Sequence, residues 1–182
     1  MAINQKTLIK DTALIAICAA VLLAQQIAFS FLPNVQLTTL LIVIYAKTLG
    51  FKRTSLIVII HVLAYNILSP FGAVTPIHLP SMFIGWMIIP FSLATFLKKV
   101  DSPLGLAIFG FIFGFIYGWA YIPAQVFFIG SPLIPYLMMD IPFEIVMGIT
   151  NFLTIYWLYP PLKTSFAEQL QKFEQKEKND GR

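Results

Sequence analysis

Asp140, Glu144, Met147, Asn151 and Thr154 place two carboxylates, a thioether, an amide and a hydroxyl in one apolar stretch. At about 100° per residue they fall within about 40° of a single helical face. Acidic side chains in a membrane helix are costly, and they face a bundle interior or a wet cavity. Asp140 and Glu144 are expected near the outer end of their helix, where they can accept hydrogen bonds from a bound molecule. The competing role is capping and dipole stabilisation at the helix N-terminus.

Further polar and aromatic residues are expected at the same outer level. Asn34, Gln36 and Thr38 follow the first break in hydropathy, and Tyr65 and Asn66 close the third apolar segment. His78 and Ser81 lie beyond a proline-bounded loop, Trp86 one turn into the next segment, and Trp119, Tyr121 and Gln125 late in the fifth. Trp and Tyr collect at membrane interfaces in any case, so each alone reads as an anchor. As a set they read as an aromatic-lined cavity with a few polar groups, the usual make-up of a small-molecule site. His78 is a candidate ligand contact. His61, four residues before Tyr65, reads as a hydrogen-bonding partner of a neighbouring helix.

Several chemistries lack their motifs. No G-x-x-x-x-G-K-[ST], H-E-x-x-H or G-x-S-x-G occurs, which removes the P-loop, zincin and nucleophile-elbow signatures. Cys18 stands alone, and His61 and His78 have no cysteine nearby, so no zinc-type cluster is expected. The chain reads as a non-catalytic protein that needs no resident cofactor or metal; any uphill work draws on a gradient or a partner.

The elements that must hold these residues are membrane helices. Of 182 residues, 58% are hydrophobic and 11% charged, against roughly 25% charged in soluble domains; mean hydropathy is +0.82. Six apolar segments are expected, at about 12–32, 35–50, 54–69, 77–97, 103–128 and 136–159. They form an all-α integral membrane protein, a six-helix transmembrane bundle within residues 1–162. The second and third segments are short for a span of about 20 residues. Pro33 stops the first helix, because a proline disfavours helix in the residue before it. Ser102-Pro103 reads as a cap and first turn. The first apolar run is too long for a signal-peptide core and is read as a retained helix. Residues 163–182 form a tail in which Phe166, Leu170 and Phe173 recur at helical spacing. It reads either as an amphipathic helix on the inner membrane surface or as a solvated end.

The twelve Lys and Arg residues fall at the N-terminus, at Lys47–Arg53, at Lys98–Lys99 and from Lys163 onward. With six crossings these regions share one side, and the connections near 33, 70–80 and 129–135 contain no Lys or Arg. The excess of Lys and Arg marks the cytoplasmic side. Both termini are therefore expected to be cytoplasmic, in a bacterial plasma membrane, with no role in binding nucleic acid.

Ala16, Ala20, Ala24 and Ala28 recur every four residues. Such small-xxx-small strips let another helix approach closely in lipid, either within the bundle or on a separate subunit. Gly110, Gly114 and Gly118 repeat the spacing and are expected to pack within the chain. The element Ala16-Ile17-Cys18-Ala19-Ala20 and the run Leu32-Pro33-Asn34-Val35-Gln36-Leu37-Thr38-Thr39-Leu40-Leu41-Ile42-Val43 resemble the substrate-binding S-component of energy-coupling factor (ECF) vitamin transporters, a branch of ABC importers. The resemblance spans essentially the whole chain and is strongest to the cobalamin-specific branch. It implies capture of a vitamin from outside, in a cavity capped by the first, third and fifth loops. It also implies docking of the strip at Ala16, Ala20 and Ala24 on a membrane T subunit coupled to two ATPase subunits, which use the ATP, followed by toppling of the S-component in the membrane. Asp140 and Glu144 suit the amide donors of cobalamin but not its phosphodiester, and they suit a cationic vitamin such as thiamin. A membrane assembly protein without a small ligand is the remaining alternative.

Overall fold

The computed structural model describes residues 5–72 and 75–180. Helix α1 spans Gln5–Ala28, α2 Thr38–Leu68, α3 Leu79–Ala94, α4 Pro103–Trp119 and α5 Leu133–Asp180. A 3₁₀ turn at Pro76–His78 precedes α3, and a π-turn at Ala124–Phe128 lies between α4 and α5. Five helical segments are long and apolar enough to cross a membrane.

The expected second and third segments form one helical run broken only at Gly50, with φ 78° and ψ 177°. An L-residue with a side chain is strained at that φ, whereas glycine is not. Gln36 and Tyr65, which flank the two halves, border the same cavity. A straight helix would hold them about 43 Å apart at 1.5 Å per residue, so the chain folds back at Gly50. The charged stretch Phe51–Arg53, which falls between the expected second and third segments, is already helical.

Other boundaries differ from hydropathy for local reasons. Helix α1 begins before the apolar stretch, since polar residues extend a helix into the membrane interface; it ends at Ala28, ahead of the turns leading to Pro33. Pro76 and Pro80 confine α3 to a start at Leu79. The expected segment 103–128 is found as one apolar span, Pro103–Phe128, within which α4 ends at Trp119 and Pro123 heads the π-turn. Ser102 caps α4 as expected, its hydroxyl accepting from the Gly105 N–H at 3.2 Å. Over the described residues the tail is helical, continuing α5 through Pro160 and Pro161. Phe166 and Leu170 pack on the body beyond the prolines, with the Phe166 ring 5.3 Å from that of Tyr45, and this packing holds the helix where it lacks two N–H donors. Gly181 and Arg182 of the tail lie outside the described residues.

Leu22, Leu40, Ile44, Ile57, Trp86, Ile89, Phe113 and Ile155 are buried in the core shared by the helices. Helices α4 and α5 approach most closely along the glycine row. A Cβ on Gly114 would lie 2.7 Å from the Gly148 backbone nitrogen, and Asn151 Nδ2 donates to the Gly110 carbonyl at 3.1 Å. The glycines thus pack within the chain. The alanines of α1 do not: Ala16, Ala20, Ala24 and Ala28 are all exposed, while Ile15, Cys18, Ala19 and Leu22 turn inward.

Ionic contacts collect at one end of the bundle. Asp11 pairs with Arg53 at 2.7 Å, and Lys47 Nζ donates to the Leu97 and Lys98 carbonyls at 3.2 Å each. Asp101 pairs with Lys163 at 2.7 Å and accepts from the Tyr159 hydroxyl at 2.7 Å. Burial works to raise the Asp101 carboxyl, but hydrogen bonds from Lys163 and Tyr159 and the Lys163 and Lys47 charges hold it below the ordinary carboxylate range. A depressed folded-state pKa contributes stability above the unfolded value of about 3.9 and loses it as pH falls through the folded value. Below about pH 4, thermal unfolding of the detergent-solubilised protein is expected to fall more steeply for the wild type than for Asp101→Asn. Parallel pH profiles would refute the contribution. The effect is small, because the Asp101 side chain is 59% exposed and solvent screens such pairs.

Candidate ligand cavity

At the other end of the bundle the helices part around a cavity of about 420 Å³, within the range of small-molecule sites. Its walls come from the turn after α1, from Tyr65 of α2 and Met82 of α3, from Gly114, Tyr117 and Gly118 of α4 with Tyr121 just beyond it, and from Tyr136, Asp140, Glu144 and Met147 of α5.

The turn after α1 is held by a network centred on Gln25. Its Nε2 donates to Thr38 Oγ1 at 2.6 Å, and its Oε1 accepts from the Leu37 N–H at 2.9 Å. The Thr38 hydroxyl donates to Gln36 Oε1 at 2.9 Å. Asn34, at φ 60°, sends its Nδ2 across to the Phe143 carbonyl at 3.0 Å. This bond ties the turn to α5 over the cavity. Asn is among the few residues with a side chain that visit that backbone region readily.

An aromatic stack forms another wall. The Tyr117 and Tyr121 hydroxyls are 3.0 Å apart, and the Trp86 ring lies 4.5 Å from Tyr117 and 5.7 Å from Phe113. The carboxylates line the same cavity. Tyr136 donates to Asp140 Oδ2 at 3.3 Å. Glu144 is 2% exposed, and neither of its oxygens has a hydrogen-bonding partner. Gly118 makes room for both: a Cβ there would overlap Glu144 Oε1 and sit 3.0 Å from Asp140 Oδ2.

Asn34, Gln36, Tyr65, Tyr121, Asp140 and Glu144, all predicted from sequence, border this cavity. Six other predicted residues lie off its surface. Thr38 is buried in the Gln25 network, and Asn66 Nδ2 turns back to the Val62 carbonyl and Met82 sulfur. His78 packs on Tyr121, ring centroids 5.6 Å apart. Trp86 is buried behind Tyr117. Gln125 accepts from Ser131 in the π-turn segment, and Asn151 lies buried against Gly110. Sequence reasoning missed Gln26, Ser30, Met82, Tyr117 and Tyr136. Two of these carried a usable signal: Tyr117 and Tyr136 stand one helical turn before Tyr121 and Asp140 and so share their faces.

His61 is buried between Tyr65 and Trp86, with centroids 6.4 and 6.5 Å away; its Nδ1 finds no partner, so the expected bond to a neighbouring helix is not made there. Among the described residues no three His, Cys, Asp or Glu side chains are grouped to hold a metal ion. No family model, curated protein or solved structure matches the chain.

Proposed function

We propose that this chain is the S-component of an ECF-type importer, a non-catalytic subunit that captures a vitamin and delivers it to a T subunit coupled to two ATPases. The observation that carries the reading is a division of labour within one bundle. A ligand-sized cavity opens at the end without Lys or Arg in its walls, and a small-residue strip on α1 faces outward instead of packing inside. The fold-back at Gly50 supports six crossings. The gathering of Lys47, Arg53, Lys98 and Lys163 contacts at the opposite end supports a cytoplasmic location for that end under the positive-inside rule. The partners then supply ATP hydrolysis, and the membrane is the bacterial plasma membrane.

The sequence resemblance puts cobalamin first as the cargo. A second reading, a smaller cationic vitamin such as thiamin, is favoured by the cavity volume and by the carboxylates in its wall. The test is uptake by cells that lack other routes for either vitamin and express this chain with T and ATPase subunits. Labelled cobalamin is expected to accumulate only when all components are present. Accumulation of thiamin alone selects the second reading. Uptake of neither, with no vitamin bound by the purified chain, would leave a membrane assembly protein instead.

A further inference from the structure

The cavity wall holds two carboxyl groups that no basic side chain in its lining answers. Asp140 and Glu144 are one helical turn apart and share the bare face of Gly118. No Lys, Arg or His is among the cavity-lining residues. Asp140 receives one hydrogen bond, at 3.3 Å, from Tyr136. Glu144 is almost wholly withdrawn from solvent; the Trp119 indole lies beside it, but no donor meets either oxygen in hydrogen-bonding geometry. A buried carboxyl without a partner is destabilising, and the adjacent acidic group adds like-charge repulsion whenever both are ionised. Helix capping does not account for the pair, because α5 begins at Leu133 and Glu144 is about three turns inside it.

Resting on the reading that a ligand enters this cavity, we propose that Asp140 and Glu144 form its specificity determinant, an acceptor wall for a ligand edge carrying several N–H donors. Such an edge is met either in the carboxamide fringe of a corrinoid or in the aminopyrimidine of thiamin. Carboxylates offer acceptors in several directions and no donor. Tyr117 and Tyr121 line the same cavity, so a ligand there meets aromatic surface as well as the two carboxyl groups. A ligand with a carboxylate at this edge is excluded, because it would bring a third anion to a site with no cation.

The test uses the full chain, purified in detergent, with cyanocobalamin, thiamin and pantothenate as probes and calorimetry as the readout. One of the first two is expected to bind, and which one binds identifies the source of the N–H edge. Glu144→Gln keeps the shape and removes the charge. It is expected to weaken that probe by at least about tenfold, the low end for a hydrogen bond to a charged group; Asp140→Asn is expected to weaken it as well. Without ligand, Glu144→Gln is expected to unfold at the same or a higher temperature, since it relieves an unpaired buried carboxyl. Better resting stability with poorer binding is a combination that a packing role would not give. Unchanged affinity in both variants would overturn the proposal and leave the S-component reading standing, as would binding of pantothenate in preference to the other two. Binding loss that merely tracks a lowered unfolding temperature would also overturn it. If none of the three binds, this proposal and the ligand-binding reading fall together.

Discussion

Gly114→Val is expected to be the most damaging single substitution in the bundle. The first atom added would meet the Gly148 nitrogen at 2.7 Å and its Cα at 2.8 Å. Those are backbone atoms of a packed helix, which cannot rotate aside as a side chain can. Overpacking costs roughly 1–3 kcal/mol where side chains can yield, and this site belongs at the top of that range, about 3 kcal/mol. For a chain of this length that corresponds to roughly 6–12 °C in unfolding temperature, read by thermal denaturation in detergent. On the ligand-binding reading the loss should extend to affinity, because Tyr117 and Gly118 ride on the same helix as Gly114. An unfolding temperature within a degree or two of wild type would mean that α4 and α5 do not meet along this row.

Ala20→Trp is expected to do the opposite: to spare the isolated chain and disable the assembly. Ala20 is exposed midway along the strip from Ala16 to Ala28, so an indole there projects away from the core and leaves folding and ligand affinity unchanged. On the docking reading, association with the T subunit should fall at least tenfold and vitamin uptake with it, since the close helix approach that a small-residue strip permits is lost. Ile84→Trp, on an exposed position of α3, should leave both intact. Co-purification of the complex, with calorimetry on the chain alone, measures the two quantities separately. If Ala20→Trp lowers both together, α1 is a structural helix and the proposal of a separate subunit fails.

Much of this molecule can be read from residue order, and the exceptions share causes. The 140/144 pair and the 110/114/118 row are visible because helical periodicity alone places them, and both sets lie where that periodicity predicts. Hydropathy finds the apolar spans but not the helix ends. It marks where lipid begins, whereas Asp11 and Lys163, paired with Arg53 and Asp101, lie in helices that continue past that limit. Gly50 hides a reversal in one residue, where the neighbouring charges give the impression of a loop. For the cavity, sequence places the level of a residue but not its direction. Thr38, Asn66 and Trp86 sit at the right height and turn into the protein, each satisfying a local demand for a hydrogen bond or for packing. Gln25 has the reverse history: a polar residue in an apolar helix, with no motif around it, organises the turn that closes one wall.

Helix α5 carries Glu144 at the cavity and Lys163 at the far ionic cluster. The interval of 19 residues corresponds to about 29 Å of continuous helix, close to the hydrocarbon thickness of a bilayer. The cavity wall at one extremity and the ion pair at the other are thus borne by a single strut. Between the two lies the Pro160–Pro161 step, where two backbone donors are missing and the helix resists bending least.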